Sequence, residues 1–301
     1  MNDKLLYHKP VLVNEVLTYM NPEPGKVYLD VTFGSGGHTR AILEKEPQCR
    51  VIALDWDTRS LDTYGPELQE IFGDRLTLIW GNFALLYKVL KRENIDRVDG
   101  ILADFGTSQM HIVERSGFSV YRDTPLDMRM SPSHQTITAA DVINSSSEEK
   151  LRELFWQLGE ESYAKIIVRA IVKARITSPI TTTTQLAHII EQVYPRKGRG
   201  IHPATKVFQA LRIYVNKELD NIHAFLSQAI RVINPGGRVV CISFHSLEDR
   251  MVKQFFNEQE RAGILEVLTS KVVVAGKQEL AENPSARSAR LRAALVRSHA
   301  R

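Results

Sequence analysis

The sequence predicts an α/β fold: a doubly wound, largely parallel sheet into which an all-helical segment is inserted. Three observations point there. The stretch VYLDVTFGSGGHT at 27–39 runs an apolar strand straight into a glycine turn and a helix, as in the nucleotide-binding half of such folds. Four further apolar runs, RVIAL at 50–54, LTLIW at 76–80, VDGILA at 98–103 and RVVCISF at 238–244, have the length and residue types of strands buried on both faces. Between the fourth run and the fifth the periodicity is helical, so the α/β pattern stops and then resumes.

Taken in order, Val13, Val16, Leu17 and Met20 recur at helical spacing, and Pro22, Pro24 and Gly25 end that helix before the first strand. Gly34, Gly36 and Gly37 allow positive φ and close approach of backbone amides to a ligand. A helix over 39–46 follows. The second strand ends at Asp55, about 20 residues beyond the glycine turn, where this architecture binds a ribose hydroxyl pair. Asp57, two residues on, is expected either to compete for that role or to cap the next helix. After the third strand, Asn82 and Phe83 border the same crevice, where the ring contacts an adenine face or packs into the core. Residues 91–96 close a helix, and the fourth strand ends at Asp104, on the carboxyl edge where open α/β sheets keep their reacting groups. A salt-bridged structural carboxylate is the alternative there.

The loop SGFSVYRDTPLDMRMSPS opens the helical block, with helices expected at 138–143, 147–158, 163–174 and 185–194 and Ser147 as an N-cap. YPRKGRGIHP at 194–203 reads as a basic hinge whose Arg196, Lys197 and Arg199 are candidates for phosphate contact, or simply a solvated loop. A long amphipathic helical region over 204–233, broken near Asn216, and an NPGG turn lead into the fifth strand. Beyond it, HSLEDR carries two readings. His245, Ser246, Glu248 and Asp249 line an acceptor pocket, or Ser246 caps a helix over 247–257 whose dipole Glu248 and Asp249 complement. Strands at 264–269 and 290–296 close the sheet as an antiparallel pair. Arg287, Arg290 and Arg292 lie close together, and alternate arginines on one strand face suit phosphate. The expected division is 1–112 with 203–301 for the sheet domain and 113–202 for the helical insertion.

The formal charge of +4 permits a polyanionic partner without demanding one. Cys49 and Cys241 sit apart in apolar surroundings, so they read as buried free thiols in a reducing compartment, and no metal site is expected. The N-terminal MNDKLLYHKP lacks the apolar core of a secretory signal and no segment has the length of a membrane span, so a cytoplasmic protein is expected. The dinucleotide fingerprint would require glycine at position 39, which is Thr39. Asp30, just before the turn, repels a pyrophosphate and attracts a cation, so S-adenosyl-L-methionine suits the turn better than NAD. A tight strand-to-helix turn with no ligand is the plainer reading.

Several stretches taken together carry a resemblance: HKPVLVNEVL, DVTFGSGGHT, ERSGFSVYRDTPLDMRM, GEESYAKIIVRAIV, HPATKVFQALRIYVN, PGGRVVCISFHSLEDRMVKQFF and ENPSARSARLRA. As an ordered set over nearly the whole chain, they resemble the MraW family, bacterial methyltransferases that modify N4 of a decoding-site cytosine in small-subunit (16S) ribosomal RNA. The resemblance implies a class I methyltransferase, with a Rossmann-like seven-stranded sheet and a helical insert that recognises RNA. It also implies S-adenosyl-L-methionine as cofactor, with contacts at Gly36, Gly37, His38, Asp55, Phe83 and Asp104. After the fourth strand the family reads D-L-G-V-S-S-x-Q-L-D before E-R-G-F, whereas this chain has the shorter ADFGTSQMHIVERSGF. His111 matches the family's glutamine by position, and Gln109 is a nearby substitute.

Methyl transfer to an exocyclic amine is an in-line displacement, so alignment is the enzyme's main task. Asp104, Asp127 and His245 are the catalytic candidates: Asp104 holds the cofactor end, while the Leu126–Arg129 block and the 245–249 segment surround the base. Asp127 beside Arg129 also reads as a structural ion pair. Arg129, Arg287 and Arg290, with the basic hinge, are candidates to grip RNA. The partners implied are small-subunit ribosomal RNA or the assembled 30S subunit, with a homodimer left open and neither metal nor membrane required. Two rivals remain at this point, a dehydrogenase, which shares the strand, glycine turn and Asp55, and a non-catalytic ribosome-assembly binder.

Overall fold

β1 (Val27–Asp30) lies inside the sheet because its short apolar run is buried on both faces, and its neighbours pair to either side of it. This computed structural model describes residues 9–106, 116–132, 135–195 and 202–298. β2 (Arg50–Asp55), β3 (Leu76–Trp80), β4 (Val98–Asp104) and β5 (Ile233–Ser243) run parallel to β1. β6 (Leu265–Val267), the two-residue β7 (Val273–Val274) and β8 (Arg290–Val296) follow, and β8 is antiparallel to β5, β6 and β7. The order is β3-β2-β1-β4-β5-β8-β6, the expected seven strands, with β7 added as an eighth beside β8. The NPGG turn lies within the bounds of β5 as an irregularity, where pairing jumps from Val98↔Ile233 to Gly100↔Arg238.

Helices α1 (Val13–Met20), α2 (Gly37–Lys45) and α3 (Thr58–Phe72) and the short α4 (Leu86–Arg92) connect the first strands. α4 stops before the expected end at 96 because Asn94 turns to φ 56, outside the helical region. On one face of the sheet Leu29, Ile52, Leu54, Ile101 and Ala103 pack with Phe225 and Ala229 of helix Glu218–Val232 and with Phe256 of helix Ser246–Arg261. Each such large side chain removed from water contributes about 1.5–3 kcal/mol. Cys49 and Cys241 are both buried free thiols. Among the described residues no helix is long and apolar enough to cross a membrane.

The chain divides into two compact units, Met1–Ser108 with Leu219–Arg301, and Gln109–Glu218. The second is all-helical, with helices Ala139–Ser145, Glu148–Gly159, Ala164–Thr177, Thr183–Val193 and Thr205–Asn216. Local chemistry starts them: Thr138 and Thr182 each form a reciprocal capping box, with Asp141 and Gln185, and Ser147 accepts the Lys150 N–H. The expected return to the sheet domain at 203 is corrected. Val207, Phe208 and Leu211 of helix Thr205–Asn216 belong to the same buried cluster as Phe155 and Ile171, so the helical unit extends to Glu218. The break expected near Asn216 is there, with Lys217 at φ 51.

Asn216 is a buried hub of this unit. Its amide donates to the carbonyls of Met128 and Arg212, both at 2.8 Å, and its oxygen accepts the Met130 N–H and the Gln135 amide, also at 2.8 Å. Buried polar groups deprived of partners bear their full desolvation penalty. Asn216→Ala is therefore expected to lower stability by about 3 kcal/mol, read as a fall in the urea midpoint; an unchanged midpoint would remove the hub role.

Candidate active site

The sheet register places three carboxylates on one face. Asp30 pairs in register with Ala53 of β2 and Leu102 of β4. Asp55 and Asp104 stand two residues beyond those partners, and side chains alternate faces with period two, so all three acids point to the same side at neighbouring strand tips. Thr32 belongs to the same set. Its hydroxyl accepts the Asp104 N–H at 2.7 Å, and Asp30 Oδ1 accepts the Thr32 N–H at 3.1 Å.

Beyond β1 the chain stays tied to both neighbours, Val31 N–H donating to Leu102 O and Phe33 N–H to Leu54 O, each at 2.9 Å. Gly34 N–H then donates to Asp55 Oδ2 at 2.7 Å, and Asp57 N–H to Asp55 Oδ1 at 2.8 Å, so the Asp55 carboxylate is aimed by backbone on both sides. Asp57 itself caps α3 through the Arg59 N–H at 3.2 Å, one of its two expected roles. Gly36 caps α2 at φ 76 and offers no side-chain bond to the helix amides. A Cβ at that position would run into Leu68 and come within 2.9 Å of the Phe33 ring, so the turn closes only around a residue without a side chain.

Asp30 is 1% exposed and also accepts the Thr39 hydroxyl at 2.8 Å, so it braces α2 against β1 rather than facing a ligand. Burial raises its pKa, against the opposing charge of His38 and the donors of Thr39 and Thr32. Asp104 differs. Its side chain is 20% exposed, yet Oδ1 is sealed with no hydrogen-bond partner among the described residues. Burial pushes its pKa up to about 6; His38 and the Gly106 N–H oppose the rise, while Asp30 and Glu248 add to it. His38 Nδ1 lies 3.9 Å from Asp104 Oδ2, and its Nε2 is 2.8 Å from Val11 O. A buried carboxylate oxygen without a donor is a polar demand that the described residues do not meet.

A sequence model of the MraW methylase family matches residues 5–297. The chain belongs to the MraW methylase family. It is 44% identical over 302 residues to the ribosomal RNA small subunit methyltransferase H of Bradyrhizobium diazoefficiens, covering 95% of this chain and 91% of that one. The protein of the same name from Nitrobacter hamburgensis is 47% identical over 302 residues, covering 95% and 90%. That from Thermotoga neapolitana is 44% identical over 294 residues, covering 96% and 95%. This MraW-family chain is a methyltransferase, and the donor expected from its sequence is S-adenosyl-L-methionine. The residues fit that donor: strand-tip acids present a negative field to a cation, Asp104 Oδ1 lacks a donor, and the bend at Gly36 admits no side chain.

The other sequence candidates of this MraW chain fall into place unevenly. Phe83 is part-buried in a cluster with Phe105 and Phe225, ring centroids 6.0 and 5.8 Å away, so core packing accounts for part of its surface. His245, not Ser246, is the N-cap of helix Ser246–Arg261, in a reciprocal box with Glu248, and its Nε2 sits 3.2 Å from Glu248 Oε1. The cap uses Nδ1 of the His245 ring, while Nε2 is buried without a hydrogen-bond partner among the described residues. Asp249 and Arg292 form a two-pronged ion pair at 2.6 and 3.1 Å, so Arg292 leaves the expected arginine row; Arg287 is exposed and Arg290 half-buried. In the helical unit Asp127 takes Arg129 on both oxygens, at 2.7 and 2.8 Å. Burial would raise the Asp127 pKa, but the hydrogen bonds and charge of Arg129 outweigh it and hold it below the usual carboxylate range. The two residues thus form the ion pair that was one of the readings of this block, with both side chains part-exposed. Gln109, His111, Arg196, Lys197 and Arg199 lie outside the described residues.

Sequence reasoning missed Thr32 and the segment at 10–12. Pro10 packs on Gly37, where a Cβ would lie 2.8 Å from its ring, and Leu12 N–H donates to Glu279 Oε1 at 2.7 Å. A hydroxyl two residues past a strand acid was the available signal for Thr32; the second contact spans the two ends of the chain and leaves no local trace.

The raised Asp104 pKa carries a sign. Ionising this group in the folded protein is unfavourable, so its contribution to stability is full below about pH 4 and fades as pH rises through about 6. Asp104→Asn is expected to make the donor-free protein more stable at pH 8 by up to about 3 kcal/mol, from 1.36 kcal/mol per unit over roughly two units. The gain should vanish near pH 4. Denaturant unfolding at the two pH values checks this, and an equal difference at both would mean that burial of charge is not the cause.

Proposed function

We propose that this chain transfers the methyl group of S-adenosyl-L-methionine to N4 of a cytosine in the decoding region of small-subunit ribosomal RNA. The name shared by its relatives supports the RNA class, and the ordered motifs support the base and position. Within the chain, the observation that carries the reading is the buried, donorless oxygen of Asp104 at the tip of a central strand.

When bound, the donor supplies an electrophilic methyl on a positive sulfur. Asp104 answers the cationic end with a carboxylate whose pKa of about 6 leaves it ionised at neutral pH. Asp55, aimed by two backbone amides, accepts from ribose hydroxyls, and the bend at Gly34 to His38 lets main chain approach the nucleoside. Phe83 offers the part of its ring outside the aromatic cluster to the adenine. Cytosine N4 has its lone pair delocalised into the ring, so an acceptor on the amine N–H helps localise it and orient attack. The base has to leave its stack to present that nitrogen. The helical unit and the exposed Arg287 with Arg290 hold flanking RNA through phosphates, which fix register without reading sequence.

Incubating the protein with S-adenosyl-L-methionine and either naked small-subunit RNA or 30S subunits, followed by nucleoside mass analysis, tests this. One N4-methylcytidine in the decoding region is expected. Methylation of an adenine, or of a cytosine ring carbon, would overturn the assignment. Asp104→Ala should lower turnover by about 10²–10³, the usual loss for a charge aimed at a reacting centre, with an unchanged circular dichroism spectrum.

A further inference from the structure

Two helices of the helical unit present charge and an aromatic ring to solvent with no structural use for them. Trp156, on helix Glu148–Gly159, is 62% exposed. Its ring borders an open cleft of about 340 Å³ shared with Arg152 and, from helix Ala164–Thr177, Lys165. That volume lies at the lower end of the range for ligand sites, about 300–1,000 Å³. Apart from Trp156 and Ala164, every residue lining the cleft is charged or polar, so the indole is bordered by the heads and apolar stems of polar side chains.

The cations continue beyond the cleft. Lys165, Arg169 and Lys173 recur every fourth residue and all are exposed, while Ile167, Val168 and Ile171 of the same helix are buried in the core. At 1.5 Å of rise per residue, successive charges of this stripe stand about 6 Å apart along the axis. Among the described residues no carboxylate pairs with Arg152, Lys165 or Lys173. Arg169 approaches Glu148 only to 4.0 Å between exposed groups, which contributes little. Of the cleft's two acids, Glu153 is engaged by Lys150 at 3.7 Å and by the Gln157 amide at 3.2 Å, which leaves Glu149 as the opposing charge.

We propose that this face binds a single-stranded stretch of the RNA substrate, with one base stacked on Trp156 and the backbone followed by Arg152, Lys165, Arg169 and Lys173. An exposed indole beside a line of cations is the combination that single-stranded nucleic acid uses, since every base has a π-face and the phosphates recur at regular intervals. The inference rests on RNA being the substrate, and it adds a contact to nucleotides other than the one methylated.

The test is fluorescence anisotropy with a labelled single-stranded RNA of decoding-region sequence, alongside steady-state methylation of small-subunit RNA by the full chain. Trp156→Ala should weaken RNA binding about tenfold or more, as loss of one stacked base does, with the loss falling on KM for RNA, while Trp156→Phe keeps most of the affinity. Replacing Lys165, Arg169 and Lys173 together by Ala should lower the slope of log affinity against log salt by about two, at roughly 0.7 per phosphate on a single strand. S-adenosylhomocysteine binding by calorimetry should match the wild type in every variant. Wild-type affinity and KM in Trp156→Ala, with an unaltered salt slope in the triple variant, would overturn this face as an RNA contact and leave the methyl-transfer reading standing. A change in sedimentation of Trp156→Ala without a change in RNA affinity would overturn it in favour of a protein interface. If the wild type neither binds nor methylates the RNA, both readings fall.

Discussion

Parallel pairing of β1 with β2 and β4 is the constraint on which the site depends. Because Asp30, Ala53 and Leu102 share one register level, the acids at strand ends project from one face and reinforce each other's field. A slip of one residue in either strand would carry Asp55 or Asp104 to the opposite face, among Phe225 and Leu226, where a carboxylate has no partner. Apolar burial on that opposite face therefore secures the position of the charges on this one. Burial first, and the charges of Asp30 and Glu248 after it, push the Asp104 pKa up, so its carboxylate is unfavourable until a cation or a donor reaches it. Function and stability pull against each other at this residue, as they do where a site is organised around a ligand.

The other two acids of this face serve different ends by the same chemistry. Asp30 is satisfied by Thr32 and Thr39 and acts as a brace between strand and helix. Asp55 is satisfied by backbone amides of the turn and of the segment after β2, which fixes its aim. Backbone donors hold a side chain more rigidly than a flexible partner does, so a carboxylate held this way is suited to recognition. His38, between Val11 and Asp104, connects the site to the segment packed against Gly37.

Elsewhere charge is used for architecture. Asp127 with Arg129 and Asp249 with Arg292 are two-pronged pairs, geometries in which both partners are consumed. Glu248, 1% exposed, accepts from the backbone of Phe244 and caps its helix together with His245. Gly117, at φ 98, closes against the Met128 and Asp127 amides, which makes the PLDMRM stretch part of a tightly folded segment around Asn216. A motif quoted for its likeness to a family is thus as readily a folding element as a reacting one. In the helical unit Trp156 and its neighbouring cations are among the groups left in water, and it is the indole standing beside a line of cations that distinguishes them.

Strand positions, the glycine bend, the helical interruption, the cap at Ser147 and the break near Asn216 were all legible in the sequence. They follow from local rules, apolar period, residue-specific φ and side-chain capping, that act over a few residues. The order of the strands, the common face of Asp30, Asp55 and Asp104, the donorless Asp104 oxygen and the pairing of Arg292 with Asp249 were decided by tertiary contacts. So was the assignment of helix Thr205–Asn216 to the helical unit. The physical reason is that pairing and burial join residues far apart in the chain, and a charged side chain reads the same in sequence whether its partner is a ligand or another part of the protein.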